Sequence, residues 1–172
     1  MINFIGIRIE LLNFMDTHPS RIMLETRILS VTPDNIQALV ELSLELWPDA
    51  EAAEERDFWI KTLASGSGAA FLCETAPGHY AGFATVSLRT DPLEGISSQP
   101  AGYLEGIYVV EACRRLGIGK MLLAAVEDWC RQKGCREMGS DTELQNRDSQ
   151  FFHAHSGFEE ANRIVCYRKT LQ

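Results

Sequence analysis

The sequence predicts an α/β protein of the α+β kind, a mixed central sheet of about six or seven strands flanked by about four helices. Three observations carry this expectation. Short runs rich in β-branched and aromatic residues alternate with longer segments whose apolar residues recur at helical spacing. Two strand-like runs, 69–74 and 79–89, are joined through Pro77-Gly78, a hairpin signal. A glycine-bearing turn, Arg114-Arg115-Leu116-Gly117-Ile118-Gly119-Lys120, separates an apolar strand-like run from an amphipathic segment. With 172 residues, 45% hydrophobic and 23% charged, the chain suits one domain with its own core.

Residues 1–22 read as an extension preceding a single domain over 23–172. Met1 to Phe14 is mildly apolar but broken by Arg8 and Glu10, and it lacks a basic leader or small-residue cleavage site. It is expected to be neither a signal peptide nor a membrane span. Thr26 to Val31 reads as the first strand. A helix is expected from Thr32-Pro33-Asp34, where Pro suits the first turn and Thr or Asp caps it, to Leu46, where Trp47-Pro48 stops it. An acidic helix over 51–63 is expected to turn Phe58, Ile60 and Leu63 inward. The hairpin follows, and then 90–102, with two prolines and two glycines, reads as a surface loop. Tyr103 to Val110 is apolar enough for a sheet centre. Ile118, Met121, Leu122, Ala125, Val126 and Trp129 mark a helix that Gly134 ends. A strand over 135–141, a short helix over 146–155 and a terminal pair of strands, 159–161 and 164–170, complete the chain.

Acidic residues outnumber basic ones 24 to 16, a field that repels nucleic acid and anionic membrane and attracts cations. Neither nucleic acid nor membrane is therefore expected as a partner, and a polycationic small molecule suits the charge. The five cysteines form no CxxC pair, and their odd number argues for reduced thiols in a cytoplasmic protein. His153 and His155 have no companions at metal-site spacing, so no metal is expected.

Chemistry concentrates in Arg115, Leu116, Gly117, Ile118, Gly119 and Lys120. Glycines let the backbone approach a ligand, and free N–H groups at a helix start, aided by Arg115 and Lys120, make a cradle for a pyrophosphate. The spacing R-x-x-G-x-G is neither a Walker loop nor a dinucleotide G-x-G-x-x-G, which argues against nucleotide hydrolysis and hydride transfer. Glu105 lies inside an apolar run, where a charge is costly unless it is paired or functional. Asp141 ends a strand, where caps and turns also favour Asp. Trp47 precedes a proline at a helix end, a poor place for a core anchor.

The arrangement over roughly residues 24 to 170 resembles the GCN5-related N-acetyltransferase (GNAT) superfamily, with the cradle after the fourth strand, Asn146, and Gly157-Phe158 closing the last helix. The resemblance implies acetyl-CoA as co-substrate, with its pyrophosphate on the cradle, and gives His153 the place of a residue that protonates the departing thiolate. Leu46-Trp47-Pro48-Asp49, Tyr103-Leu104-Glu105-Gly106-Ile107-Tyr108-Val109, Gly134-Cys135-Arg136-Glu137-Met138 and Ser140-Asp141-Thr142 are similar to the aminoglycoside 6'-N-acetyltransferases. The terminal Gly157-Phe158-Glu159-Glu160 and Tyr167-Arg168-Lys169 extend that similarity. For this chain it implies an aminoglycoside as substrate, Trp47 lining its pocket, and Glu105 and Asp141 holding its ammonium groups. It further implies that the backbone of Ile107, Tyr108 and Val109 binds the acetyl and pantetheine portion, that Asn146 touches CoA, and that the protein is a homodimer. Pro92 and Asn162 stand where relatives carry a tyrosine and an acidic drug contact. The expected reaction is direct transfer in a ternary complex, giving antibiotic resistance, with Glu105 or Asp141 as base. Acetylation of another polyamine, amino sugar or protein amine, and a non-catalytic acetyl-CoA sensor, are the rival readings.

Overall fold

The structure is a computed structural model that describes residues 26–171. Its elements are β1 (Arg27–Ser30), α1 (Ile36–Leu46), α2 (Ala52–Ser65), β2 (Gly68–Ala76), β3 (His79–Arg89), β4 (Ala101–Val109), a 3-10 turn (Glu111–Cys113), α3 (Ile118–Gln132), β5 (Met138–Ser140) and α4 (Arg147–His155). The five strands form one mixed sheet in the order β1-β2-β3-β4-β5. Every pairing is antiparallel except β4 with β5, which α3 joins as a parallel crossover.

Alternation along the central strands sorts side chains into two cores. Phe71 and Ala84 pack with Ile118, Leu122 and Val126 of α3, whereas their neighbours Leu72 and Phe83 pack with Ile36 and Leu39 of α1 and Trp59 of α2. The sheet is thus covered on both faces, which is why β2 and β3 read as nearly continuous apolar runs. Full burial of side chains such as Leu72, Phe83 and Leu122 contributes about 1.5–3 kcal/mol each.

Several expectations are corrected. The helix expected from Thr32 begins at Ile36, because Asn35 ties the preceding turn instead: its Oδ1 accepts the Thr32 N–H at 2.7 Å and its Nδ2 donates to the Ser30 carbonyl. In α2, Phe58 and Ile60 are exposed and Trp59 is buried. The bulkiest apolar side chain takes the core, and the face is set by Glu55, Trp59 and Leu63 at four-residue spacing. The strand expected over 135–141 shrinks to Met138–Ser140. Cys135 belongs to the end of α3, where its N–H bonds to the Cys130 carbonyl while left-handed Gly134 bonds to Arg131.

The terminal pair of strands is absent among the described residues, whose sheet has five strands rather than six or seven. Residues 158–171 lie in no helix or strand, and Ile164, Val165, Tyr167 and Leu171 are exposed. Period-two apolarity describes an extended segment, but a strand also needs its backbone groups paired with a neighbour, and residues 158–171 pair with no described strand. The extension expected over residues 1–22 lies outside the described residues.

Candidate active site

The strand β4 is irregular where its chemistry is. Thr85 pairs with Gly106 and Val86 with Leu104, so Glu105 is an extra residue on β4, a β-bulge. Leu104 packs on the α3 side of the sheet, and the Cβ direction of Gly106 meets the Trp47 ring at 2.5 Å on the opposite side. Only glycine fits beneath that indole. The bulge leaves Glu105 and Gly106 consecutively on the Trp47 side, where Glu105 and Trp47 line a cavity of about 670 Å³ together with Glu55, Trp59, Ser87 and Arg89.

Glu105 Oε1 accepts hydrogen bonds from the Ser87 hydroxyl and from Arg89 Nη2, the latter at 2.6 Å. With 45% of the Arg89 side chain and 28% of the Glu105 side chain exposed, this ion pair stabilises the fold by only about 0–1 kcal/mol. That is too little to account for a carboxylate in an apolar strand. The Arg89 guanidinium lies 5.0 Å from the centroid of the Tyr103 ring, and the Tyr103 hydroxyl donates to Asp141 Oδ1. Burial, then Asp141, pushes the Tyr103 phenol above its ordinary pKa, so it remains the donor. Trp47 and Glu105 thus share one cavity, whereas Asp141 does not line it and is linked to it through Tyr103 and Arg89.

The second feature lies beyond the end of β4. Arg115 has φ 63° and Gly117 φ 83°, a left-handed pair that turns backbone N–H groups toward the start of α3. No side chain caps α3, and its first turn holds no acidic residue. The N–H groups of Ile118, Gly119 and Lys120 therefore have no partner within the helix. Beside them Arg115 and Lys120 are exposed, Leu116 is half-buried, and Ile118 is buried, so Ile118 offers a ligand only its backbone. A Cβ on Gly117 would meet nothing within 4 Å, whereas one on Gly119 would face Phe152 of α4 at 3.1 Å. The smallness of Gly119 accordingly serves α3–α4 packing as well as the cradle. Between the two features, β5 pairs only with Gly102–Leu104, and no described strand covers Ile107, Tyr108 and Val109 on that edge. The Tyr108 hydroxyl donates to Glu45 of α1 at 2.7 Å, leaving the backbone of this stretch as its contribution to a site on the open edge.

The open edge of β4 thus leads to the uncapped start of α3. The sequence profile of the Acetyltransferase (GNAT) family matches residues 32–158. This chain belongs to the GNAT family. The aminoglycoside N(6')-acetyltransferase type 1 of Serratia marcescens is 43% identical over 138 residues, covering 80% of this chain and 94% of that protein. Its counterpart from Stenotrophomonas maltophilia is 41% identical over 145 residues, covering 84% of this chain and 94% of that protein. Among solved structures, AAC(6')-Iy in complex with the bisubstrate analogue CoA-S-monomethyl-acetylneamine superposes with a TM-score of 0.80 at 36% identity, covering 85% of this chain and 99% of that one.

Other residues singled out in this GNAT chain fall around the cradle. Asn146 is the N-cap of α4, its Oδ1 accepting the Ser149 N–H at 3.0 Å. His153 Nδ1 lies 2.7 Å from the Ser149 carbonyl and therefore carries a proton, and Nε2 lies 3.0 Å from the Ser140 hydroxyl. Both ring nitrogens are thus engaged, Nδ1 within α4 and Nε2 in joining α4 to β5, and protonating a thiolate would require one of them to be released. Cys113, next to the cradle, is buried, and burial raises its pKa, which keeps it a thiol.

Sequence reasoning missed Glu55, Trp59, Ser87, Arg89 and Glu137. Glu137 Oε2 accepts from Ser97 N–H at 3.0 Å, Ser98 N–H at 2.6 Å and the Ser97 hydroxyl at 2.9 Å, bonds that hold its carboxyl below the usual range. Asn162 Nδ2 donates to Glu94 at 2.9 Å. Together they pin the 90–100 loop, on which Pro92 is exposed. Each of these contacts joins residues far apart in sequence, and none leaves a local pattern.

Proposed function

We propose that this chain transfers the acetyl group of acetyl-CoA to the 6'-amino group of aminoglycosides, giving resistance to them. The observation that carries the reading is Glu105, which sits on a β-bulge and lines a cavity with a second carboxylate, Glu55, and the half-buried Trp47 indole. Aromatic faces suit the rings of an amino sugar, and carboxylates suit its ammonium groups. Relatives that share 41–43% identity bear the aminoglycoside N(6')-acetyltransferase name, and this supports the choice of acceptor.

The uncapped start of α3, with Arg115, Gly117, Gly119 and Lys120, fits the pyrophosphate of acetyl-CoA, and the backbone of Ile107–Val109 fits its pantetheine arm. Bound acetyl-CoA supplies the acetyl group as an activated thioester. This chain's residues do the rest. Trp47, Glu55 and Glu105 orient the acceptor, and Asp141, held by Tyr103, receives a further ammonium. Glu105 or Asp141 takes the proton that the reacting amine must lose, directly or through water. A backbone N–H of Ile107–Val109 stabilises charge as it develops on the carbonyl oxygen. His153 positions α4 against β5. Transfer is direct, with no acyl-enzyme.

Thiol release from acetyl-CoA, measured with tobramycin, kanamycin and spermidine, tests this reading. Release with the two aminoglycosides and little with spermidine is expected. Preference for spermidine would move the protein to the rival class of polyamine acetyltransferases, and acetyl-CoA binding without turnover on any amine would make it a sensor.

A further inference from the structure

Among the described residues, Arg89 is the one cationic side chain lining the cavity, and Glu55 and Glu105 are its carboxylates. It sits at the end of β3, takes Oε1 of Glu105 at 2.6 Å, and lies over the ring of Tyr103, whose hydroxyl binds Asp141. The guanidinium therefore stands between the two carboxylates assigned to the acceptor. Oε2 of Glu105 accepts no hydrogen bond from the described residues, and the Ser87 hydroxyl holds Oε1 whether or not Arg89 is there. An ammonium that binds Glu105 must accept a permanent positive charge as its neighbour on the same carboxylate.

We propose that Arg89 is a resident cation that opposes the bound ammonium, weakening acceptor binding and favouring the neutral, nucleophilic amine. The proposal rests on the acceptor occupying this cavity. Like charges in a partly desolvated site disfavour the protonated form of a neighbour, so Arg89 promotes proton loss from the occupied site. The charges facing it are Glu105 from β4, Glu55 from α2 and Asp141 after β5, reached through Tyr103. Neutralising Arg89 takes the cavity lining from one net negative charge to two. If Arg89 instead served only to fix the Glu105 rotamer, its loss would loosen the acceptor.

Arg89→Gln and, as a second neutral variant, Arg89→Met are compared with charge-preserving Arg89→Lys, with melting temperature confirming the fold of each. Calorimetry with tobramycin in the absence of acetyl-CoA reads affinity without turnover, and the pH dependence of kcat with tobramycin reads proton loss from the occupied site. The neutral variants are expected to bind tobramycin about tenfold more tightly and to move the acid limb of kcat upward by about half to one pH unit, while Arg89→Lys stays near wild type. Weaker or unchanged binding by the neutral variants, an unmoved acid limb, or an Arg89→Lys variant that behaves like Arg89→Gln overturns the proposal. A wild type that binds tobramycin but acetylates no aminoglycoside would instead overturn the proposed function, and the affinity comparison would still decide the role of Arg89.

Discussion

Glu105 places a charge in an apolar strand and interrupts the ladder that strand shares with β3, two departures from what folding alone favours. A carboxylate retained there on account of its ligand should be replaceable without loss of the fold. Glu105→Gln keeps shape and can still accept from Ser87, and Asp141→Asn can still accept from Tyr103. A charged hydrogen bond to an ammonium contributes about 1.5–3 kcal/mol, so each substitution should lower kcat/KM for a 6'-amino aminoglycoside by about ten- to a hundredfold. Acetyl-CoA affinity should hardly change. Melting temperature and kcat/KM measured on the same preparations check this; unstable variants with normal kinetics would make both carboxylates structural. Glu105 was legible in the sequence because a lone charge in an apolar run is conspicuous. Ser87 and Arg89 were not, because their meeting with Glu105 depends on the register of β3 against a bulged β4.

Among the elements, the helices were easier to read than the strands. The apolar stripe of α3 and the left-handed Gly134 after it place that helix to within a residue or two. The short strand β5 was overestimated because apolar residues at the end of a helix mimic the start of a strand. In α2, a face chosen by counting apolar residues was displaced by the larger Trp59. The 90–100 loop reads from its prolines and glycines, but its anchor does not: Glu137 lies 39 and 40 residues away from the serines it binds. Glu137→Ala removes the acceptor for three donors and should raise KM for the aminoglycoside several-fold with little change in KM for acetyl-CoA. Because those donors lower the Glu137 pKa in the folded protein, their stabilisation is complete above the ordinary carboxylate value of about 4.3 and fades as pH falls through the lower folded-state value. Hydrogen exchange at the Ser97 and Ser98 amides, followed from neutral pH downward and corrected for intrinsic exchange, should show wild-type protection lost only at strongly acid pH. Protection absent in Glu137→Ala at every pH completes the expected pattern, and equal protection in both proteins would remove Glu137 from the account.

Across the whole molecule, β4 is the common element of both halves of the site. Its bulge faces the cavity beneath α1 and α2, and its last residues lead along an uncovered edge to the start of α3. On the proposed reading, donor and acceptor meet beside one strand, and proximity supplies much of the rate. The α/β architecture, the four helices of the described residues and the family were all legible from motif order. The exposed segment 158–171 was not, since apolar alternation cannot reveal whether a segment docks on a neighbouring edge. The most direct test of the central claim, acetyl transfer to a 6'-amine held at Glu105, is the position of the acetyl group on the product. NMR of the tobramycin product should show a single amide at the 6' nitrogen, and paromomycin, with a hydroxyl there, should inhibit without being N-acetylated. Acetylation of tobramycin at another nitrogen, or efficient N-acetylation of paromomycin, would contradict it.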